Sequence, residues 1–179
     1  DRSADRPFFA FLNYYDAHMP YFAPWEYRAR FRTGARYRDD YDASIAYIDA
    51  ELGRLFRELE RRERLDNTIV VVASDHGEQF GEHGLTEHGN SLYEPVLRVP
   101  LIMRYPRALP VGGRVAAFVS LRNLPATLAA LTGGPAEFPG SSLAALWSGA
   151  DTTGWTARNG VLAEVSGGTI WYGSTYDRA

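Results

Sequence analysis

The stretch Asp66-Asn67-Thr68-Ile69-Val70-Val71-Val72-Ala73-Ser74-Asp75-His76-Gly77-Glu78 decides how this chain is read. Asp66-Asn67 has turn chemistry, and Thr68 to Ala73 is a run, β-branched up to Val72, without polar alternation, the pattern of a strand covered on both faces by helices. It predicts the central strand of an α/β sheet. A polar string follows at once, at the carboxyl end of that strand, where ligands of open α/β sheets gather.

Upstream, Tyr41, Ile45, Ile48, Leu52, Leu55, Phe56 and Leu59 recur at three- and four-residue steps, while Arg54, Arg57, Glu58, Arg61 and Arg62 fall on the opposite face. The spacing predicts an amphipathic helix from Asp40 to about Arg64, capped by Asp39 or Asp40. Downstream, Val99 to Arg104 reads as a second apolar strand whose early proline favours a strand start or an edge. Leu121 to Leu131 reads as a helix stopped by Thr132-Gly133-Gly134-Pro135. Pro7 to Leu12, Val161 to Val165 and Thr169 to Tyr172 are further predicted strands, and Asp16 to Tyr21, with Pro24, is a loop. This order implies α/β architecture. The length of 179 residues suits a single domain, 1–179. An apolar strand so near the first residue, with no signal peptide before it, suggests a cut.

Composition narrows the function. With 45% hydrophobic and 23% charged residues the chain is neither disordered nor collagen-like. Its longest apolar run is far short of the ~20 residues of a membrane-spanning helix. Nineteen basic against 22 acidic residues, net charge -3, lack the footprint of a nucleic-acid binder. With no cysteine, these residues hold no disulfide, thiolate metal site or cysteine nucleophile. All the basic residues are arginine, so a site needing a titrating cation must use histidine.

The four histidines, His18, His76, His83 and His88, all fall in two loops that follow apolar runs. Asp75 and His76 place a carboxylate beside an imidazole, and a chain bending as it leaves a sheet, as Gly77 permits, can aim both at one cation. That donor pair suits Mg²⁺, Mn²⁺ or Zn²⁺, whereas Ca²⁺ favours oxygen. The alternative is an aspartate capping the next turn beside a surface histidine. In Gly81 to Glu94, His88 is a better candidate than His83, because an adjacent acidic residue could keep it cationic for an anionic substrate. Glu82 and Glu87 read as solvated, Leu92 and Tyr93 as packing residues. His18 suits contact with a tetrahedral oxyanion or proton donation to a leaving group, with Asp16 fixing the loop or orienting the ring. Trp25, Tyr27, Trp147 and Trp155 could line a sugar or aryl pocket, or simply pack.

Taken together, Pro7 to Tyr21, Tyr41 to Asp49, Asp66 to Glu78 and His88-Gly89-Asn90-Ser91-Leu92-Tyr93-Glu94 resemble the sulfatase family of the alkaline-phosphatase-like superfamily. Val99-Pro100-Leu101-Ile102, Leu124 to Leu128 and Phe138 to Leu143 extend the likeness to about residue 145. The resemblance implies a mixed, largely parallel central sheet flanked by helices, with one divalent cation at the strand ends, calcium by family. It assigns Asp75 and His76 as metal ligands and His18 as the contact to the sulfate or leaving-group oxygen. His88 lies near a substrate-binding lysine of many members. The implied reaction is hydrolysis of a small-molecule or saccharide sulfate ester, with His18 and His88 as catalytic and substrate-binding residues. The family's formylglycine nucleophile and two further aspartate ligands would lie upstream, in a missing N-terminal part of the same domain, so the chain alone is expected to be inactive. Many relatives are periplasmic or secreted. Two other readings remain open: a phosphodiesterase or phosphoethanolamine/phosphoglycerol transferase of the same superfamily, and a non-catalytic binding module that keeps the fold.

Overall fold

The computed structural model describes residues 6–135, 137–148, 153–155 and 159–165. It divides into two compact units, Asp1–Glu63 and Arg64–Ala179.

The first unit is built on a short helix α1 (Trp25–Arg28) and the 26-residue helix α2 (Arg36–Arg61). The periodic pattern predicted α2, but it starts four residues earlier than the apolar stripe suggests. Ala35 precedes it without a side-chain cap. Asp39 lies within the first turn, and its carboxylate reaches back to accept from Thr33 N, Gly34 N and Thr33 Oγ1. The expected cap therefore ties the incoming loop to the helix. Arg28 Nε donates to Asp40 Oδ1 at 3.1 Å. Ala43 and Ser44 are the fully buried points of α2, whereas Ile45, expected in the core, is exposed.

The predicted strand Pro7–Leu12 does not form, and Phe9 and Phe11 are 80% and 82% exposed. A strand exists only as half of a hydrogen-bonded pair, and no partner lies beside this run among the described residues. Val161–Val165 is likewise without strand structure, for the same reason. Thr169–Tyr172 lies outside the described residues.

In the second unit, β1 (Val70–Ala73) realises the predicted strand and pairs antiparallel with β4 (Leu101–Arg104), Val70 opposite Arg104 and Ala73 opposite Leu101. Pro100 immediately precedes β4, as a residue that cannot donate to the ladder should. Among the described residues β1 has this one neighbour, and Ile102 on β4 is exposed, so double coverage of the strand is not seen there. A second ladder joins β2 (Gln79–Phe80) to β3 (Thr86–Glu87). A four-residue helix α3 (Glu94–Leu97) leads into β4. The predicted helix near Leu121 is a 3₁₀ turn, Leu121–Asn123, running into α4 (Leu124–Thr132). Ser120 and Asn123 form a reciprocal capping box, and Gly133 ends α4 at φ 69°, a conformation that favours glycine. Thr127, fully buried, donates to Asn123 O and accepts from Leu143 N, fastening α4 to the 3₁₀ turn Leu143–Leu146. No helix among the described residues is long and apolar enough to cross a membrane.

Candidate functional site

The chain leaves β1 at Ser74 and bends. Ser74 Oγ donates to His76 O at 2.6 Å, closing the bend, and Gly77 N donates to Val96 O of α3 at 2.7 Å. A Cβ at residue 77 would overlap the Pro95 carbonyl oxygen. Gly77 is therefore demanded by the close approach of another backbone segment rather than by a left-handed turn.

This bend sets the geometry of Asp75 and His76. His76 Nδ1 lies 2.9 Å from Gly77 O. A carbonyl only accepts, so Nδ1 carries the proton and the lone pair of the neutral ring is on Nε2. Nε2 is 3.8 Å from Asp75 Oδ2, while Asp75 Oδ1 accepts from His76 N at 3.1 Å. Two donors about 2.0–2.4 Å from one cation stand roughly 3–4.5 Å apart, so oxygen and nitrogen can share an ion. Asp75 is 87% exposed and can reach it. A backbone carbonyl holding the remote ring nitrogen is the usual support of a metal-binding imidazole. The pair fits a divalent cation as two of its ligands, and among the described residues no three His, Asp or Glu side chains converge on one point.

The hairpin after the bend brings His88 to the same place. Gln79 pairs with Glu87 and Phe80 with Thr86, and Glu87, at φ 65°, turns the chain out of that ladder just before His88. Glu78 Oε1 lies 3.0 Å from His88 Nδ1. The His88 ring stacks on His76, centroids 4.0 Å apart at 26°. On the other face of the hairpin Gln79, 1% exposed, accepts from Ser91 Oγ at 2.8 Å. Asp75, His76 and His88 are thus gathered, with Glu78 as the carboxylate that sequence reasoning missed. That reading gave His88 the adjacent acidic residue, but Glu87 is exposed and sits at φ 65° where β3 ends, and the carboxylate that meets the ring is Glu78. The glycines that bracket residues 81–84 were the available sign of a hairpin.

Other expectations change. Leu92 and Tyr93 are exposed rather than packed, and Tyr93 stacks on His83 at 3.7 Å, setting that histidine apart from the stacked pair. Glu82 is exposed as expected, yet its carboxylate accepts from Phe80 N. Of the aromatics, Trp155 is buried, Tyr27 packs against Tyr47, and Trp25 lies open beneath the Arg32 guanidinium.

His18 belongs to the first unit. Its Nδ1 lies 2.7 Å from Met19 O, so this ring too keeps its neutral lone pair on Nε2, and it stacks on Tyr15 at 4.4 Å. Asp16 holds the loop through its own carbonyl, which accepts from Phe22 N at 2.9 Å.

Comparison with known proteins gives the family of the chain. An N-acetylglucosamine-6-O-sulfatase of Bacteroides thetaiotaomicron is 40% identical over 93 residues, which are 52% of this chain and 15% of that protein. A structure solved in complex with its substrate D-glucosamine-2-N,6-O-disulfate matches with TM-score 0.58 and 34% identity, covering 70% of this chain and 27% of that one. The phosphonate monoester hydrolase of Agrobacterium radiobacter matches with TM-score 0.60 and 27% identity, over 66% of this chain and 24% of its own. The matched part is thus between 15% and 27% of each relative's length. These likenesses establish the expected α/β class of the alkaline-phosphatase-like fold. The sulfatase family model matches residues 1–134, a span that takes in His18, the β1 strand and the whole bend and hairpin after it, and on that ground the chain belongs to the sulfatase family.

Proposed function

We propose that the whole protein hydrolyses sulfate esters of small molecules or saccharides, with Asp75 and His76 supplying two ligands to one divalent cation. Calcium is the ion expected from the family, and Mg²⁺, Mn²⁺ or Zn²⁺ suit the donor pair. The observation that carries the reading is the Asp75–His76 pair itself: an exposed carboxylate oxygen 3.8 Å from an imidazole nitrogen whose partner nitrogen is spent on a backbone carbonyl. When bound, the cation would offset charge on the nonbridging oxygens of the ester. His88 would meet a substrate oxygen through Nε2. His18, from its own ring geometry, would present Nε2 to the sulfate or the departing alcohol. The formylglycine nucleophile expected by resemblance is not in these residues, so the chain alone is expected to be inactive. Support for a sulfated saccharide comes from the relative that carries D-glucosamine-2-N,6-O-disulfate as its substrate.

A second reading, phosphoester or phosphonate chemistry with the same site, is favoured by the likeness to a phosphonate monoester hydrolase. Calorimetric titration of the whole protein with Ca²⁺, Mg²⁺, Mn²⁺ and Zn²⁺, beside Asp75→Ala, tests the metal site. Binding should weaken at least about 100-fold in the variant, and equal binding in both would remove the metal role. Turnover of an aryl sulfate against an aryl phosphonate separates the two chemistries. A protein that binds no ion and turns over neither is a non-catalytic module.

A further inference from the structure

We propose that Glu78 is the positioning residue of His88, deciding which ring nitrogen the substrate meets. The inference rests on the sulfatase reading for what His88 contacts, while its geometry stands apart from that reading. The Glu78 side chain is 6% exposed and its Oε1 lies 3.0 Å from His88 Nδ1. An ionised carboxylate only accepts, so Nδ1 carries the hydrogen and dealings with a substrate run through Nε2. The hairpin brings the two together, because Glu78 immediately precedes β2 and His88 immediately follows β3, whose ladder pairs Gln79 with Glu87. One face of the ring is covered by His76. An edge restraint and a face restraint together hold the imidazole in one plane with one tautomer, as a carboxylate behind a functional histidine does.

The measurement is ¹⁵N NMR of the histidine rings in the whole protein, taken with the rings neutral, for the native protein, Glu78→Gln and Glu78→Leu. Native His88 should be the Nδ1–H tautomer. Gln keeps an acceptor oxygen in the same shape and should keep that tautomer, whereas Leu should release the ring toward Nε2–H. On an aryl sulfate, kcat should fall about 10–100-fold in Glu78→Leu with KM changing little, and Gln should recover most of the loss. Cation binding through Asp75 should be the same in all three. A native His88 found as Nε2–H overturns the proposal, and that result needs no variant to fold. So does a Glu78→Leu protein that folds and keeps the native tautomer, or a Gln variant as impaired as Leu. A protein that shows the expected tautomers but turns over no sulfate leaves the positioning intact and defeats the sulfatase reading instead.

Discussion

Helix α2 and the segment from Ser74 to Leu97 are of similar length and are held together in opposite ways. The side-chain bonds of α2 are mostly short in sequence: Arg54 to Glu51, Arg61 and Arg62 to Glu58, Ser44 Oγ to Asp40 O. The strand-end segment is made of short pieces, β2, β3 and α3, and beside its local bonds it has ties that reach across it: Gly77 to Val96, Gln79 to Ser91, Glu78 to His88. A helix spreads its stability over many equivalent bonds, so each is dispensable. In a loop that must aim side chains the bonds differ from one another, so the effect of losing one depends on which it is.

The largest expected effect follows from that contrast. Gly77→Ala drives a methyl into the Pro95 carbonyl and should cost about 3 kcal/mol or more, read as a lower denaturant midpoint. An exposed change on α2, Arg57→Ala, should stay within about 0.5 kcal/mol. Equal midpoints for the two variants would break the comparison. Next comes Thr127→Val, which keeps the shape but strands Leu143 N, a loss of about 1–3 kcal/mol, visible in the same unfolding experiment.

Acid sharpens the picture of α2. Glu58 is held at about 2, below its ordinary 4.5, chiefly by the hydrogen bonds from Arg61 and Arg62. A folded value below the unfolded one means the benefit is whole above pH 4.5 and is lost as pH falls through about 2. Carboxyl NMR titration of Arg61→Ala should find Glu58 titrating at higher pH, and an unmoved midpoint would deny the local tie. Asp39, lowered first by the Thr33 hydroxyl, follows the same sign. The smallest effect is expected at Arg98, whose guanidinium meets Glu94 at 2.9 Å in open solvent. Arg98→Ala should change stability by less than about 1 kcal/mol, again by denaturant unfolding.

The same contrast explains which elements were legible in the sequence. α2, β1, β4 and α4 were found from spacing, β-branching, Pro100 and Gly133, because each signal lies within the element it reports. The apolar run at Pro7–Leu12 carried an equally clean signal and formed no strand, since pairing is a relation between segments. At the candidate site, Asp75, His76 and His88 were picked out by residue type and position after the strand. The partner of His88 was not, because it is a carboxylate ten residues away that the hairpin brings to the ring, a relation that chain adjacency does not carry.

The amino-acid order by itself determined the chemistry on offer: a carboxylate beside an imidazole after a buried-type strand, no thiol and no lysine, and a set of strings that resemble the sulfatases. Only tertiary structure decided which atoms are presented. Three ring nitrogens, in His18, His76 and His88, are each bound to an oxygen through Nδ1. Two of those oxygens are backbone carbonyls one residue away and the third belongs to Glu78, ten residues away in the chain. A side chain's identity is covalent and can be read from the chain, but its orientation is set by whichever acceptor the folded backbone brings within 3 Å, and that is known only once the segments have met.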